Sequence, residues 1–104
     1  MNTADMIISI IKKKRNPQTS FEIRSKLLRN GVKITDAQLR QRIRKLVVDG
    51  GQPIISCTNG FLLAYSNEEI DIGIKYIQAR IKPMLNRIKC LAKMKKTGQY
   101  EMGI

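Results

Sequence analysis

The sequence has no histidine, no tryptophan and only two cysteines in 104 residues. Without histidine the commonest general base is missing. Cys57 and Cys90 stand far apart, and a zinc site needs about four Cys, His or carboxylate ligands at suitable spacings. No nucleophile motif or phosphate-cradling glycine loop is legible. The residues argue against an enzyme, and neither a metal nor any other cofactor is expected. The two thiols read as ordinary buried or surface cysteines. Carboxylates are scarce as well, 8 against 20 Lys plus Arg, for a formal net charge of +12. Such an imbalance costs stability through self-repulsion, and a polyanionic partner is the simplest reason to carry it. Nucleic acid is the first candidate and an anionic membrane surface the second.

Long apolar runs are also lacking. The early cluster "MIISII" is interrupted by Ser9 and followed by "KKKR", the reverse of the order in a secretory signal. No stretch approaches the roughly 20 apolar residues that a spanning helix needs. The expectation is a soluble, intracellular, cytoplasmic protein with no membrane association and no legible small-molecule ligand. The length suits one small domain with one core.

What the sequence does carry is a set of helix starts. Thr19-Ser-Phe-Glu22, Thr35-Asp-Ala-Gln38 and Ser66-Asn-Glu-Glu69 all fit the capping box, in which a hydroxyl and the side chain three residues later satisfy each other's backbone amides. Ile34 before Leu39 and Tyr65 before Ile70 add hydrophobic staples. A first helix is predicted over 3–15, with Met6, Ile7, Ile10 and Ile11 as its apolar stripe and "NPQ" as its stop. A second is predicted over 20–29, with Ile23, Leu27 and Leu28 inward and Asn30-Gly31 as its end. A third is predicted over 36–48, with Leu39, Ile43, Leu46 and Val47 buried against the first two and Asp49-Gly50-Gly51 closing it.

The apolar runs Ile54–Cys57 and Phe61–Tyr65 flank Thr58-Asn59-Gly60. Asn-Gly is a strong hairpin signal, because both residues tolerate positive φ. A long helix follows, predicted over 67–95. Its Ile70, Ile74, Ile77, Ile81, Met84, Ile88 and Leu91 recur at alternating spacings of four and three, the seam of a coiled coil. Pro83 is expected to kink or split it. From Ile72 to Tyr100 there are eight Lys or Arg and no carboxylate. The helix can pair with a second copy, fold back on the first helix, or lie along phosphates or an acidic partner. Dimerisation through the seven seam residues is the favoured expectation. The chain thus divides into 1–65, 66–96 and a loose tail, 97–104.

The order helix, helix, turn, helix, hairpin is that of a winged helix-turn-helix domain. The stretch "ITDAQLRQRIRKLVVDGGQPIISCTNGFLLA" resembles bacterial and phage winged-helix DNA-binding proteins. It is most similar to the winged helix of biotin-repressor-like regulators and to small phage or prophage helix-turn-helix proteins. The resemblance covers about residues 19–65. The fold class it implies is mainly α with a small β-hairpin, a winged helix-turn-helix followed by a long C-terminal helix. It also implies double-stranded DNA as partner, with the third helix in the major groove. One departure stands out, since the hairpin region carries no Lys or Arg between Asp49 and Asn67.

At 100° per residue, Gln38, Gln41 and Lys45 fall opposite the apolar stripe of the third helix, with Arg44 near them and Arg40 and Arg42 flanking the stripe. Gln can read adenine and Arg can read guanine through paired hydrogen bonds. Gln38, Gln41 and Arg42 are therefore the candidate base readers, and Thr35, Arg40, Arg44, Lys45 and Asn59 the candidate phosphate contacts. The amides of 35–37 are a candidate anion site at a helix N-terminus. "KKKR" at 12–15 reads equally as a phosphate patch or as the solvated end of a helix. Lys26, Arg29 and Lys33 are candidates to reach the backbone or merely to face water.

These features favour a dimeric transcriptional regulator of phage or mobile-element type. The alternative is a low-specificity nucleic-acid-binding protein in replication, recombination or packaging, suggested by a basic excess that runs beyond the third helix. A winged module serving protein contacts alone, or an amphipathic membrane helix, completes the field.

Overall fold

A computed structural model describes residues 1–97, with side chains through residue 95. The expectation of a loose tail falls, from residue 98 on, outside the described residues. The order is α1 (Thr3–Lys12), α2 (Ser20–Arg29), α3 (Asp36–Val48), β1 (Ile54–Cys57), β2 (Gly60–Leu63) and α4 (Asn67–Thr97). The chain is mainly helical, with one two-stranded antiparallel hairpin and a long C-terminal helix. No described helix is long and apolar enough to cross a membrane.

The helices begin where hydroxyls can cap them. Thr19 and Thr35 each accept from the amide three residues on, while Glu22 and Gln38 reach back to the cap amide. At α4 the pattern is shifted by one residue. Ser66 accepts from the Glu69 amide, but the Glu69 carboxylate takes the Tyr65 N–H at 2.9 Å. Helix α1 ends at Lys12, not at 15, and Lys13 is its C-cap. Gly31, at φ 82°, follows the end of α2. At the end of α3, Asp49 is the C-cap and Gly51 takes positive φ, whereas Gly50 does not.

Ile7, Ile10, Ile11, Ile23, Leu27, Leu39 and Ile43 bury the faces of α1, α2 and α3 against one another, with Ile54 and Phe61 of the hairpin completing the core. Two inward assignments change. Leu28 is exposed, and Val47 is 38% exposed, because both lie past the edge of what the neighbouring elements cover, Val47 on the wall of an open groove beside the hairpin. Leu46 is half-buried against the core.

The hairpin pairs Ile54 with Leu63, Ile55 with Leu62, Ser56 with Phe61 and Cys57 with Gly60. Thr58 and Asn59 are therefore the turn, and neither has positive φ. Gly60 opens β2 instead of sitting in the loop. Successive side chains of a strand point to opposite faces, and here both faces are covered. Ile54 and Phe61 join the main core, while Ile55, Leu62 and Ala64 form a second cluster with Cys57 and Ile70. That accounts for strands that read as unbroken apolar runs.

The long helix packs on β1 and does not fold back along α1. Gly73 sits so close to Ile55 that a Cβ there would lie 2.7 Å from its Cγ2. Pro83 lies inside an unbroken helix. Lacking an N–H, it leaves one carbonyl of the preceding turn unpaired, and α4 is solvent-exposed there, so water can take that partner's place.

Gln18 is the polar fastener of the module. It is fully buried, donates from Nε2 to the Ile10 carbonyl at 2.8 Å and accepts from Lys26 Nζ at 2.6 Å. Its backbone N–H and carbonyl each bond Phe61 at 2.8 Å. One residue thus ties together the end of α1, the last turn of α2 and the outer edge of β2. Gln18→Leu keeps the volume but removes both side-chain bonds. Leaving a buried acceptor unpaired costs about 1–3 kcal/mol, and urea denaturation should show that loss as a lower midpoint with an unchanged slope.

Candidate nucleic-acid interface

Helix α3 presents its polar face because its apolar face is locked. Leu39 and Ile43 are buried, while Ala37, Gln38, Arg40, Gln41, Arg42, Arg44, Lys45 and Val48 are exposed. The sequence-predicted residues therefore share one exposed helix, but they divide into groups with different freedom.

Gln41, Arg44 and Lys45 lie on the outer side and, among the described residues, have no hydrogen bond or ion pair to another side chain. Arg42 is exposed on the flank away from the hairpin. Gln38 is partly committed, since its Oε1 accepts from the Thr35 N–H at 2.9 Å. Reading adenine takes both ends of the amide, so Gln38 must share that oxygen or give up the cap. The same bond occupies the Thr35 amide, so the anion site expected over 35–37 is reduced to the amides of Asp36 and Ala37.

Arg40 faces the hairpin. Its Nε donates to Asp36 Oδ2 at 3.0 Å, and its guanidinium lies 5.4 Å from the centroid of the Phe61 ring. Asp36 also accepts a short hydrogen bond from the Ser20 hydroxyl, which in turn accepts from Arg24 Nε at 3.2 Å. This network joins the start of α2 to the start of α3 and fixes the angle at which α3 leaves the turn. The pairing of Asp36 with Arg40 at i, i+4 was open to sequence reading, but Ser20 and Arg24 were not. The Ser20 hydroxyl first, and Arg40 second, hold the Asp36 carboxyl below its ordinary value.

A group lowered in the folded state contributes stability above its unfolded pKa and loses that contribution as pH falls through the folded value. Asp36→Asn is accordingly expected to melt below the parent at neutral pH. The gap should close with acidification below about pH 4, the usual range of an unfolded aspartate. Melting curves of both chains across that range test this.

Three of the other basic candidates have acquired partners. Lys26 is turned inward to Gln18 at 2.6 Å, which removes it from the phosphate candidates. Within "KKKR", Lys14 lies 3.7 Å from Glu22, and Arg15 stacks on the Tyr65 ring at 4.4 Å. Arg29, Lys33, Thr58 and Asn59 are exposed. Asn59 lies at the hairpin tip, where a wing would meet a backbone.

Sequence reading missed one further feature. A groove of about 820 Å³ runs between α3, the hairpin and α4. Val47, Val48, Ile74 and Ile77 give it apolar walls, Arg40, Arg44 and Arg80 line it, and among the described residues no carboxylate does. It arises because α4 meets the hairpin near Ile70 and Gly73 and then runs on into solvent. Ile70, assigned to a dimer seam, is half-buried by that contact and is withdrawn from the exposed part of the seam. Comparisons with protein-family models, with curated proteins and with solved structures gave no match.

Proposed function

We propose that the chain is a sequence-specific double-stranded DNA-binding protein of winged helix-turn-helix type. In this reading it acts as a dimeric transcriptional regulator of the phage or mobile-element kind. The observation that carries the reading is the exposed face of α3, where glutamine and arginine stand together on a helix fixed from behind by Leu39 and Ile43. A helix of this width fits the major groove, and its N-terminal part is the part that reaches base edges. Gln41 and Arg42 read bases, with Gln38 reading through whatever capacity its cap leaves. Arg44 and Lys45 hold phosphates on either side, and Asn59 touches the backbone from the hairpin tip. Arg40 serves mainly to brace α3 through Asp36.

The low-specificity alternative keeps one specific support, namely the eight basic residues without a carboxylate from Ile72 to Tyr100. Selection of bound duplexes from a random-sequence pool at physiological salt separates the readings. An enriched inverted repeat is the expected result and yields the operator. Binding without enrichment favours the low-specificity role. Absence of binding overturns both and leaves a module for protein contacts.

A further inference from the structure

Ile74, Ile77, Ile81, Met84, Ile88 and Leu91 run down one side of α4 and are 44–61% exposed. A strip at alternating four and three spacing is what another helix packs against. Pro83 does not obstruct it, because two residues past Ile81 the repeat faces outward. We infer that the occupant is α4 of a second copy, running antiparallel. Its register sets Ile74 against the partner's Leu91, Ile77 against the partner's Ile88 and Ile81 against the partner's Met84. This register covers every exposed member of the seam.

The direction follows first from what lies beside the seam. Near its start, Ile70 is packed with Ile55, and Gly73 leaves no room for a Cβ against that same residue. Ile74 and Ile77 border the groove that the hairpin also lines. A parallel pair would bring both hairpins to one end, on the side where the helices must meet. An antiparallel pair brings to each hairpin only the bare C-terminal half of the other helix.

Charge points the same way. The carboxylates of α4 are Glu68, Glu69 and Asp71, all in its opening turns, while its basic residues extend through Lys95. Parallel pairing would stack like on like at both ends. The antiparallel register brings Asp71 level with the partner's stretch 93–95. It also brings Arg80 within two residues, about 3 Å along the axis, of the partner's Arg87. Arg80, however, is drawn back over its own Tyr76, 4.4 Å from the ring centroid, with a hydrogen bond to the phenol oxygen.

In this register residue 70 of one copy stands level with residue 95 of the other. Twenty-five residues at 1.5 Å each separate the two anchor points by about 37 Å, close to the roughly 34–36 Å of one DNA turn. The two-fold axis is then perpendicular to the shaft, so a shaft lying along the duplex places that axis across the DNA, where the dyad of an inverted-repeat site lies. This consequence for half-site spacing rests on the DNA reading above; the pairing itself does not.

Single cysteines test the pairing in the full chain after Cys57→Ser and Cys90→Ser. Gln78 and the partner's Leu85 lie on the same flank within about one turn of each other. Mixed Gln78→Cys and Leu85→Cys chains should therefore give a disulfide-linked dimer on mild oxidation, and neither chain alone should. Ile88→Cys alone should also fail to link, because the two copies of that residue stand about 16 Å apart along the axis. Linkage by Ile88→Cys alone means a parallel pair and overturns the inference. So does a monomeric mass by sedimentation velocity at micromolar concentration, or a dimer in which the mixed pair does not link. If the mixed pair links but no duplex binds, the spacing falls with the DNA reading and the antiparallel pair stands.

Discussion

Gly60→Val is expected to lower the melting temperature by roughly 20 °C or more, on the scale of about 4–8 °C per kcal/mol for a domain of this size. Two independent costs coincide at this position. The backbone has φ 126°, a conformation that costs a side-chain-bearing residue about 1–3 kcal/mol. A Cβ would also lie 2.2 Å from the Gln18 carbonyl oxygen and 2.9 Å from the Thr19 nitrogen. Both are backbone atoms, so no side chain can swing aside. Relief requires parting β2 from Gln18, which breaks the paired 2.8 Å bonds between Gln18 and Phe61 and disturbs Phe61 in the core. A combined loss of about 4 kcal/mol or more is a large part of the 5–15 kcal/mol typical of a whole domain. Gly31 is the internal control. It also has positive φ, 82°, but a Cβ there meets nothing within 4 Å. Gly31→Ala should therefore cost only the conformational part, about 1 kcal/mol. Equal losses at the two glycines, measured by thermal melting, would show that the contact with Gln18 does not hold the hairpin in place.

The contrast between those glycines also marks how far the sequence could be read. Features that depend on residues within a turn or two of one another were legible. The capping boxes of Thr19 and Thr35, the apolar stripes of α1 and α3 and the two strands all belong to that kind. Features set by the approach of distant segments were not. Asn59-Gly60 signals a turn in isolation, but the pairing of Gly60 with Cys57 and its approach to Gln18 move the turn back to Thr58-Asn59. Gln18 looked like part of a helix stop, since nothing local says that its amide will reach both Ile10 and Lys26. Leu28 and Val47 obey their helical periods, yet lie past the edge of what the neighbouring elements cover. Gly73 carries no signal in the periodicity of the seam, yet it is the place where α4 sits on the hairpin. At the candidate interface, position on α3 was readable from the 100° rotation alone. The commitment of Lys26 to Gln18, and the Ser20 and Arg24 side chains that brace Asp36, needed the fold.

Arg44→Gln with Lys45→Gln is expected to weaken duplex DNA binding about 60-fold at 0.1 M salt and to reduce the salt slope by about 2. Each phosphate neutralised on B-DNA contributes close to 0.9 to the slope of log affinity against log salt. Between 1 M and 0.1 M one contact is thus worth about eightfold, and two contacts about sixtyfold. The fold should survive, because both residues are exposed and neither bonds another side chain among the described residues. The loss should be the same for every sequence, since phosphates carry no sequence information. Gln41→Ala should behave in the opposite way. It removes no charge, so the slope should stay where it is, while discrimination at one base pair falls by about 1–3 kcal/mol. Titrations of the two variants against a selected site and a scrambled duplex, at several salt concentrations, therefore read two different properties of one helix. A slope unchanged in the double variant would take Arg44 and Lys45 off the DNA. If affinity were unchanged as well, α3 would be a face for protein contacts, and the +12 charge would have to meet its counterion along α4.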